Sequence, residues 1–150
     1  MDAIDRKILA LLQEDGRKSV TDLATEVGLS LSACHRRVRE LEQSGAIERY
    51  RAVISPDAVG LHFEAIVFVT MERSDQNSVA AFEDAVSDLP NVVEAERLFG
   101  DPDFMLRILT TGLKAYQEFY DNELGGLPGV QKLTSTLVMK RVGRDRTVPV

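Results

Sequence analysis

The chain has 150 residues, 44% of them hydrophobic and 28% charged, which places it with soluble globular proteins and outside the disordered class. No apolar run reaches the roughly 18 to 20 residues that span a bilayer, and the acidic start Met1-Asp2-Ala3-Ile4-Asp5 is unlike a secretory signal, so a cytoplasmic protein without a membrane partner is expected. One cysteine, Cys34, excludes an intramolecular disulfide, and the net charge of -6 argues against a general nucleic-acid coat. That total conceals an asymmetry. Residues 1–55 hold nine Lys/Arg against nine Asp/Glu, whereas the remainder holds nine against fifteen. A neutral first part with local basic clusters can approach DNA while an acidic second part stays clear of it.

Ile4, Ile8, Leu11 and Leu12 recur at helical spacing behind Asp2, a suitable N-cap with Asp5 three residues on, so a first helix is predicted to about Asp15 with a stop at Gly16. Ser19-Val20-Thr21-Asp22 has the form of a capping box. It opens a short second helix whose face is Leu23, Ala24 and Val27. Gly28-Leu29-Ser30 supplies a left-handed-capable residue, a turn residue and a fresh N-cap in three positions, so a third helix starts at once. Three helices with so tight a glycine turn are the helix-turn-helix pattern.

At about 100° per residue, Leu31, Cys34, Val38 and Leu41 of the third helix fall on one stripe that must face the first two. Ser32, Ala33, Arg36, Arg39 and Gln43 lie opposite, with His35 and Arg37 on the flanks. Ser30 and the free N–H groups of the first turn suit a phosphate, and Arg36, at the centre of the outward face, suits bidentate recognition of guanine. Arg37, Arg39 and His35 are expected at phosphates. A solvated amphipathic helix whose arginines pair with Glu40 and Glu42 is the plainer alternative. Cys34, in the apolar stripe, reads as a small buried hydrophobe. His35 and His62, 27 positions apart without ligand-spaced companions, give no metal site.

Ile47 to Ile54 has the β-branched content of a strand, followed by a linker at Ser55 to Gly60. Beyond it a weak repeat is visible. His62–Glu72 and Phe104–Thr111 both read as buried strands, each followed by a helix carrying Phe82 or Phe119 and then by Leu-Pro-x-Val, at Leu89 and Leu127, 38 residues apart. Further strands are expected over Val92–Phe99 and Val130–Val142. Two strand-helix-strand units in tandem give a βαββαβ sheet with both helices on one face, and the other face calls for a second subunit. Gly100-Asp101-Pro102-Asp103 connects two strands. Its carboxylates repel one another unless a cation or ammonium group relieves them, although an ordinary solvated turn has the same composition. Thr134, Ser135 and Thr136 place hydroxyls on both faces of the last strand, which strand propensity alone also explains.

Taken in order, Asp5-Arg6-Lys7-Ile8-Leu9, Leu12 to Arg17, Leu23-Ala24 with Val27-Gly28-Leu29-Ser30, Arg37-Val38, Gly45-Ala46-Ile47, Gly100-Asp101-x-Asp103, Leu127-Pro128-Gly129-Val130 and Thr134-Ser135 resemble the Lrp/AsnC family of regulators across nearly the whole chain. The resemblance implies an α+β protein: a winged-helix-like helix-turn-helix domain with its hinge strand over residues 1–54, a linker over 55–61, and a ferredoxin-like effector and oligomerisation domain over 62–150. It implies a homodimer that assembles to an octamer and a pseudo-palindromic double-stranded operator. It also implies an amino-acid effector held by Gly100, Asp101, Asp103, Thr134, Ser135 and Thr136, with no cofactor. Pro102 and Phe104 depart from the family's usual loop, removing a backbone donor and a hydroxyl. Two other readings stand beside it: an enzyme of similar architecture, such as a siroheme decarboxylase, and an amino-acid sensor without an operator.

Overall fold

A computed structural model describes residues 1–143 and 147–150, which form two compact units, Met1–Val53 with Val142–Val150, and Ile54–Arg141. The first unit holds α1 (Ala3–Glu14), α2 (Val20–Val27) and α3 (Leu31–Gln43). Its boundaries follow from local chemistry. Asp2 and Asp5 form a reciprocal capping box on α1, Ser19 caps α2 through the Asp22 N–H, and Ser30 caps α3 through the Ala33 N–H. Gly28 ends α2 at φ 71°, a left-handed conformation that an L side chain adopts only with strain, and this reverses the chain tightly enough for α3 to begin three residues later.

Ile8, Leu9, Leu23, Ala24, Cys34, Val38 and Leu41 make the core of this unit, with Ile4, Leu12, Val27 and Ile47 packed around it. Leu31 is a correction to the expected stripe: it is 54% exposed. It sits at the first position of α3, and the core contacts of this helix begin a turn later, at Cys34.

The expected hinge strand is also corrected. Residues 48–54 belong to no ladder, because the strands of this chain, among the described residues, all lie in the other unit. Val142, Gly143 and residues 147–150 group with the first unit by contact. There the Gln13 side-chain amide donates to the Val148 carbonyl (3.0 Å) and accepts from its N–H (2.6 Å).

The second unit runs β1 (Phe63–Met71), α4 (Gln76–Ser87), β2 (Val92–Arg97), β3 (Phe104–Thr110), α5 (Leu113–Asn122) and β4 (Val130–Leu137). A 3-10 turn, Asp57–Val59, precedes it where a plain linker was expected. The four strands form one antiparallel sheet in the order β2-β3-β1-β4, which is the predicted βαββαβ arrangement. Strand periodicity sorts the side chains. Ala65, Val67, Val69 and Met71 with Phe104, Leu106 and Ile108 are buried in one core with Val79, Phe82 and Val86 of α4 and Tyr116 and Phe119 of α5. The rings of Phe82 and Phe104 meet at a centroid distance of 4.5 Å.

Both Leu-Pro-x-Val segments lead into strands, as their prolines require. Asn91 and Leu109 exchange backbone and side-chain hydrogen bonds at the first, and the Gly129 carbonyl accepts from the Glu72 N–H at the second. Gly129, at φ 71°, also lies where a β-carbon would come within 3.0 Å of the Met71 methyl.

Candidate nucleic-acid interface and effector loop

Helix α3 presents its polar side outward. Ser30, Ser32, His35, Arg36, Arg39 and Gln43 are all exposed, while Cys34, Val38 and Leu41 are buried beneath them. Burial pushes the Cys34 thiol up, away from the reactive thiolate. Arg36 lies 4.0 Å from Glu40 one turn on, with 70% and 64% of their side chains exposed. A contact so long and so exposed leaves Arg36 free to exchange Glu40 for a base edge.

Arg37 departs from its expected place at a phosphate. Its guanidinium donates to Asp2 (2.8 Å) and Asp5 (2.7 Å), the two residues of the α1 capping box, and its side chain is only 24% exposed. It thus pins α3 to the start of α1. The Asp5 backbone N–H, together with Arg37 and against a smaller effect of burial, holds the Asp2 carboxyl below its ordinary range. No local spacing announces this pair, since Asp5 and Arg37 lie 32 residues apart.

At the far end of α2 the Lys7 ammonium donates to the Glu26 carbonyl and Lys18 pairs with the Glu26 carboxylate at 2.6 Å, so these two cations are also spent within the unit. After α3, the Tyr50 hydroxyl donates to Glu42 at 3.1 Å.

In the second unit the two predicted groups of effector residues do not converge. Asp103 closes its own loop: its carboxylate accepts from the Met71 N–H (2.7 Å) and the Ser74 hydroxyl (3.3 Å), its N–H donates to the Val69 carbonyl, and its carbonyl accepts from the Leu98 N–H. Asp103 is therefore a structural staple, and Gly100 and Asp101 are the exposed part of the loop.

On β4, Thr134 and Thr136 pair with Phe68 and Ile66 and share the face that carries no helix. Ser135 pairs with buried Val67 and bonds the Tyr116 hydroxyl on the opposite side. Ser135 is thus separated from its two neighbours by the sheet itself. Between the loop and β4 stands β1, which pairs with both β3 and β4, so two strand spacings, roughly 10 Å, intervene. An open groove of about 300 Å³ lies elsewhere, between α4 and β2, bordered by Glu83, Val86, Glu94 and Arg97.

The helix-free face of the sheet carries Ile66, Phe68 and Met105, half-buried, and a charge network the sequence did not reveal. Glu64 accepts from Arg107 and from Arg141, and Arg107 also donates to Glu94 (2.7 Å). Burial pushes the Glu64 carboxyl up, but the two guanidinium groups outweigh it and hold it below its ordinary range. Among the described residues no three His, Cys, Asp or Glu side chains gather as metal ligands, and no helix is long and apolar enough to cross a membrane.

Comparison with known proteins bears on both units. Residues 1–48 match a winged helix-turn-helix DNA-binding domain and residues 64–148 match the Lrp/AsnC ligand binding domain. The Bkd operon transcriptional regulator of Pseudomonas aeruginosa is 39% identical over 142 residues, covering 95% of this chain and 93% of the regulator. The leucine-responsive regulatory protein of Escherichia coli K12 is 35% identical over 150 residues, covering 100% of this chain and 92% of that protein. A transcriptional regulator of Neisseria meningitidis, solved as a complex with L-methionine, superposes with a TM-score of 0.93 at 33% identity over 99% of this chain and 96% of its own. With a helix-turn-helix in the first unit, a βαββαβ sheet in the second, and regulators matching both over nearly their full length, the chain belongs to the Lrp/AsnC family of transcriptional regulators.

Proposed function

We propose that the chain binds double-stranded DNA in a sequence-dependent way through the outward face of α3, and that a small amino acid modulates this binding from the second unit. The observation that carries the DNA reading is the division of α3 into a buried stripe and a fully exposed polar side centred on Arg36. Arg36 reads a base edge. Ser30, Ser32, His35, Arg39 and Gln43 position the helix on phosphates and neighbouring bases, and Arg37 holds α3 on α1 instead of touching DNA. The named relatives are regulators, which favours this over the enzymatic reading.

For the effector, the loop around Gly100 and Asp101 offers a carboxylate to an ammonium group, and Thr134 and Thr136 offer hydroxyls to a carboxylate. Their separation within one chain means that a single amino acid touching both draws them from two copies. That favours a homo-oligomer whose assembly and ligand are linked, and the meningococcal relative's complex with L-methionine supports an amino acid as the class. The helix-free sheet face, with Ile66, Phe68 and Met105, is the surface we assign to the dimer, which presents two α3 helices to a pseudo-palindromic site. Further assembly to an octamer and a cytoplasmic location complete the proposal.

Crosslinked-DNA sequencing, repeated with each amino acid added, tests operator and effector together. Discrete enriched sites that shift in occupancy with one amino acid are expected, and Arg36→Ala should cost about 1 to 3 kcal/mol at such a site while sparing random DNA. Absence of enriched sites, or an undamaged Arg36→Ala variant, overturns the assignment of α3.

A further inference from the structure

The segment after α3 carries two cations, Arg49 and Arg51, that lie outside the proposed recognition face and that no ion pair among the described residues uses. Ile47 is tied back to α3, its N–H donating to the Leu41 carbonyl, and Tyr50 is tied to Glu42 through its hydroxyl. Residues 48–51 are therefore held beside the last turns of α3 without belonging to any regular element. Arg49 and Arg51 flank Tyr50. Both are exposed, and among the described residues neither has a carboxylate within ion-pair distance. Arg37 in the same unit and Arg107 and Arg141 in the other are paired, whereas Arg6, Arg17 and Arg39 are exposed and, among the described residues, as unpaired as Arg49 and Arg51; what sets these two apart is that the Ile47 and Tyr50 ties hold them beside the last turns of α3.

Two like charges two residues apart repel one another, and exposed Glu48 beside them offsets only one. The spare charge is relieved most fully by a pair of anions at the same pitch. Residues i and i+2 of a stretched chain are at most about 7 Å apart, which is comparable to the separation of successive phosphates along one DNA strand. A guanidinium meets a phosphodiester through two parallel hydrogen bonds, and the long side chain tolerates the unstructured backbone beneath it, whereas reading a base edge requires a rigid support.

We propose that Arg49 and Arg51 form a second, sequence-independent DNA contact: a phosphate clamp on one strand of the backbone, next to the groove that α3 enters. The clamp rests on the DNA-binding reading above and extends it from α3 to the segment that follows. It sets affinity and salt dependence, while α3 sets sequence preference.

The test uses the full chain and fluorescence anisotropy with two labelled duplexes, one of random sequence and one taken from a captured genomic site, between about 50 and about 200 mM salt. Each neutralised phosphate contributes about 0.9 to the slope of log affinity against log salt, so R49A/R51A should lower that slope by about 1.8 on both duplexes. R49Q/R51Q should do the same, and R49K/R51K should keep the slope because it keeps the charges. The ratio of affinities for the two duplexes should not change. An unchanged slope in R49A/R51A and R49Q/R51Q, with the unsubstituted chain binding normally, overturns the clamp and leaves the α3 reading intact. A shift of the double variants to smaller species in sedimentation with an unchanged slope also overturns it, because the arginines then serve a contact with a second copy. If the unsubstituted chain binds neither duplex, the DNA reading falls and the clamp with it.

Discussion

Arg37→Ala separates two roles for one residue. In the structure Arg37 donates to Asp2 and Asp5 at 2.8 and 2.7 Å, with 24% of its own side chain and 16% of Asp5's exposed. A fully exposed ion pair contributes about 0 to 1 kcal/mol and a hydrogen bond to a charged group about 1.5 to 3. Two such bonds at half-buried positions, discounted for the exposure of Asp2, place the loss at about 1 to 2 kcal/mol. A three-helix unit with seven buried residues has little stability in reserve, so a loss of this size is visible.

The assay is urea denaturation followed by far-UV circular dichroism on Arg37→Ala, Asp5→Asn and the double variant. The double variant should lose less than the two single losses combined, because both break the same contact. The stabilisation is present above the ordinary aspartate range and should fade as pH falls through the depressed Asp2 value. DNA binding by Arg37→Ala should keep its salt slope under conditions where the variant is folded. Unchanged stability together with a slope reduced by about 1 would refute the pin and return Arg37 to the phosphates.

Three further outcomes follow from the same geometry. Gly28→Ala meets no atom within 4 Å but must hold φ 71°, so it should destabilise the first unit by about 1 kcal/mol through backbone strain alone, seen as a lower urea midpoint. Phe82→Ala removes a fully buried ring from between α4 and the sheet and should cost about 3 to 5 kcal/mol, enough to lower the thermal midpoint of the second unit sharply. Glu64→Gln should flatten the acid limb of stability: the native carboxyl is held below its ordinary value of 4.5, so its contribution is intact above that value and lost as pH falls below it. Urea midpoints from neutral pH down to about pH 3 measure the difference.

Where local chemistry decides the structure, the sequence was readable. Asp2, Ser19 and Ser30 stand where helices need an oxygen acceptor, Gly28 stands where a left-handed turn is needed, and period-two burial marks β1 and β3. Contacts between distant residues were not readable. Arg37 lies on the flank of a helical wheel, and only the placement of α1 decides that it faces Asp2 and Asp5 rather than solvent. Leu31 fits the apolar stripe by angle, but at the head of α3 it precedes the helix's first core contact.

Ile47 to Ile54 has strand composition, yet a ladder needs a neighbour, and among the described residues none pairs with it. The effector residues show the same limit at finer scale. Sequence placed Thr134, Ser135 and Thr136 on one strand, and the register with β1 then divides them between two faces. Asp101 and Asp103 look equivalent in a turn, but only Asp103 lies within reach of the Met71 N–H, so only Asp103 is consumed.

The closure of the loop by Asp103 has a thermodynamic consequence. Four hydrogen bonds from one residue join the end of β2, the end of β1 and Ser74, just before the Asp75 cap of α4, so the backbone around Gly100 and Asp101 is tethered at its base before any ligand arrives. A small molecule that meets this loop need not give up binding free energy to order that base, and a compound with few atoms has little to give. Weakening the staple by Asp103→Asn should therefore impair the binding of an amino acid at this loop through the shape of the free protein.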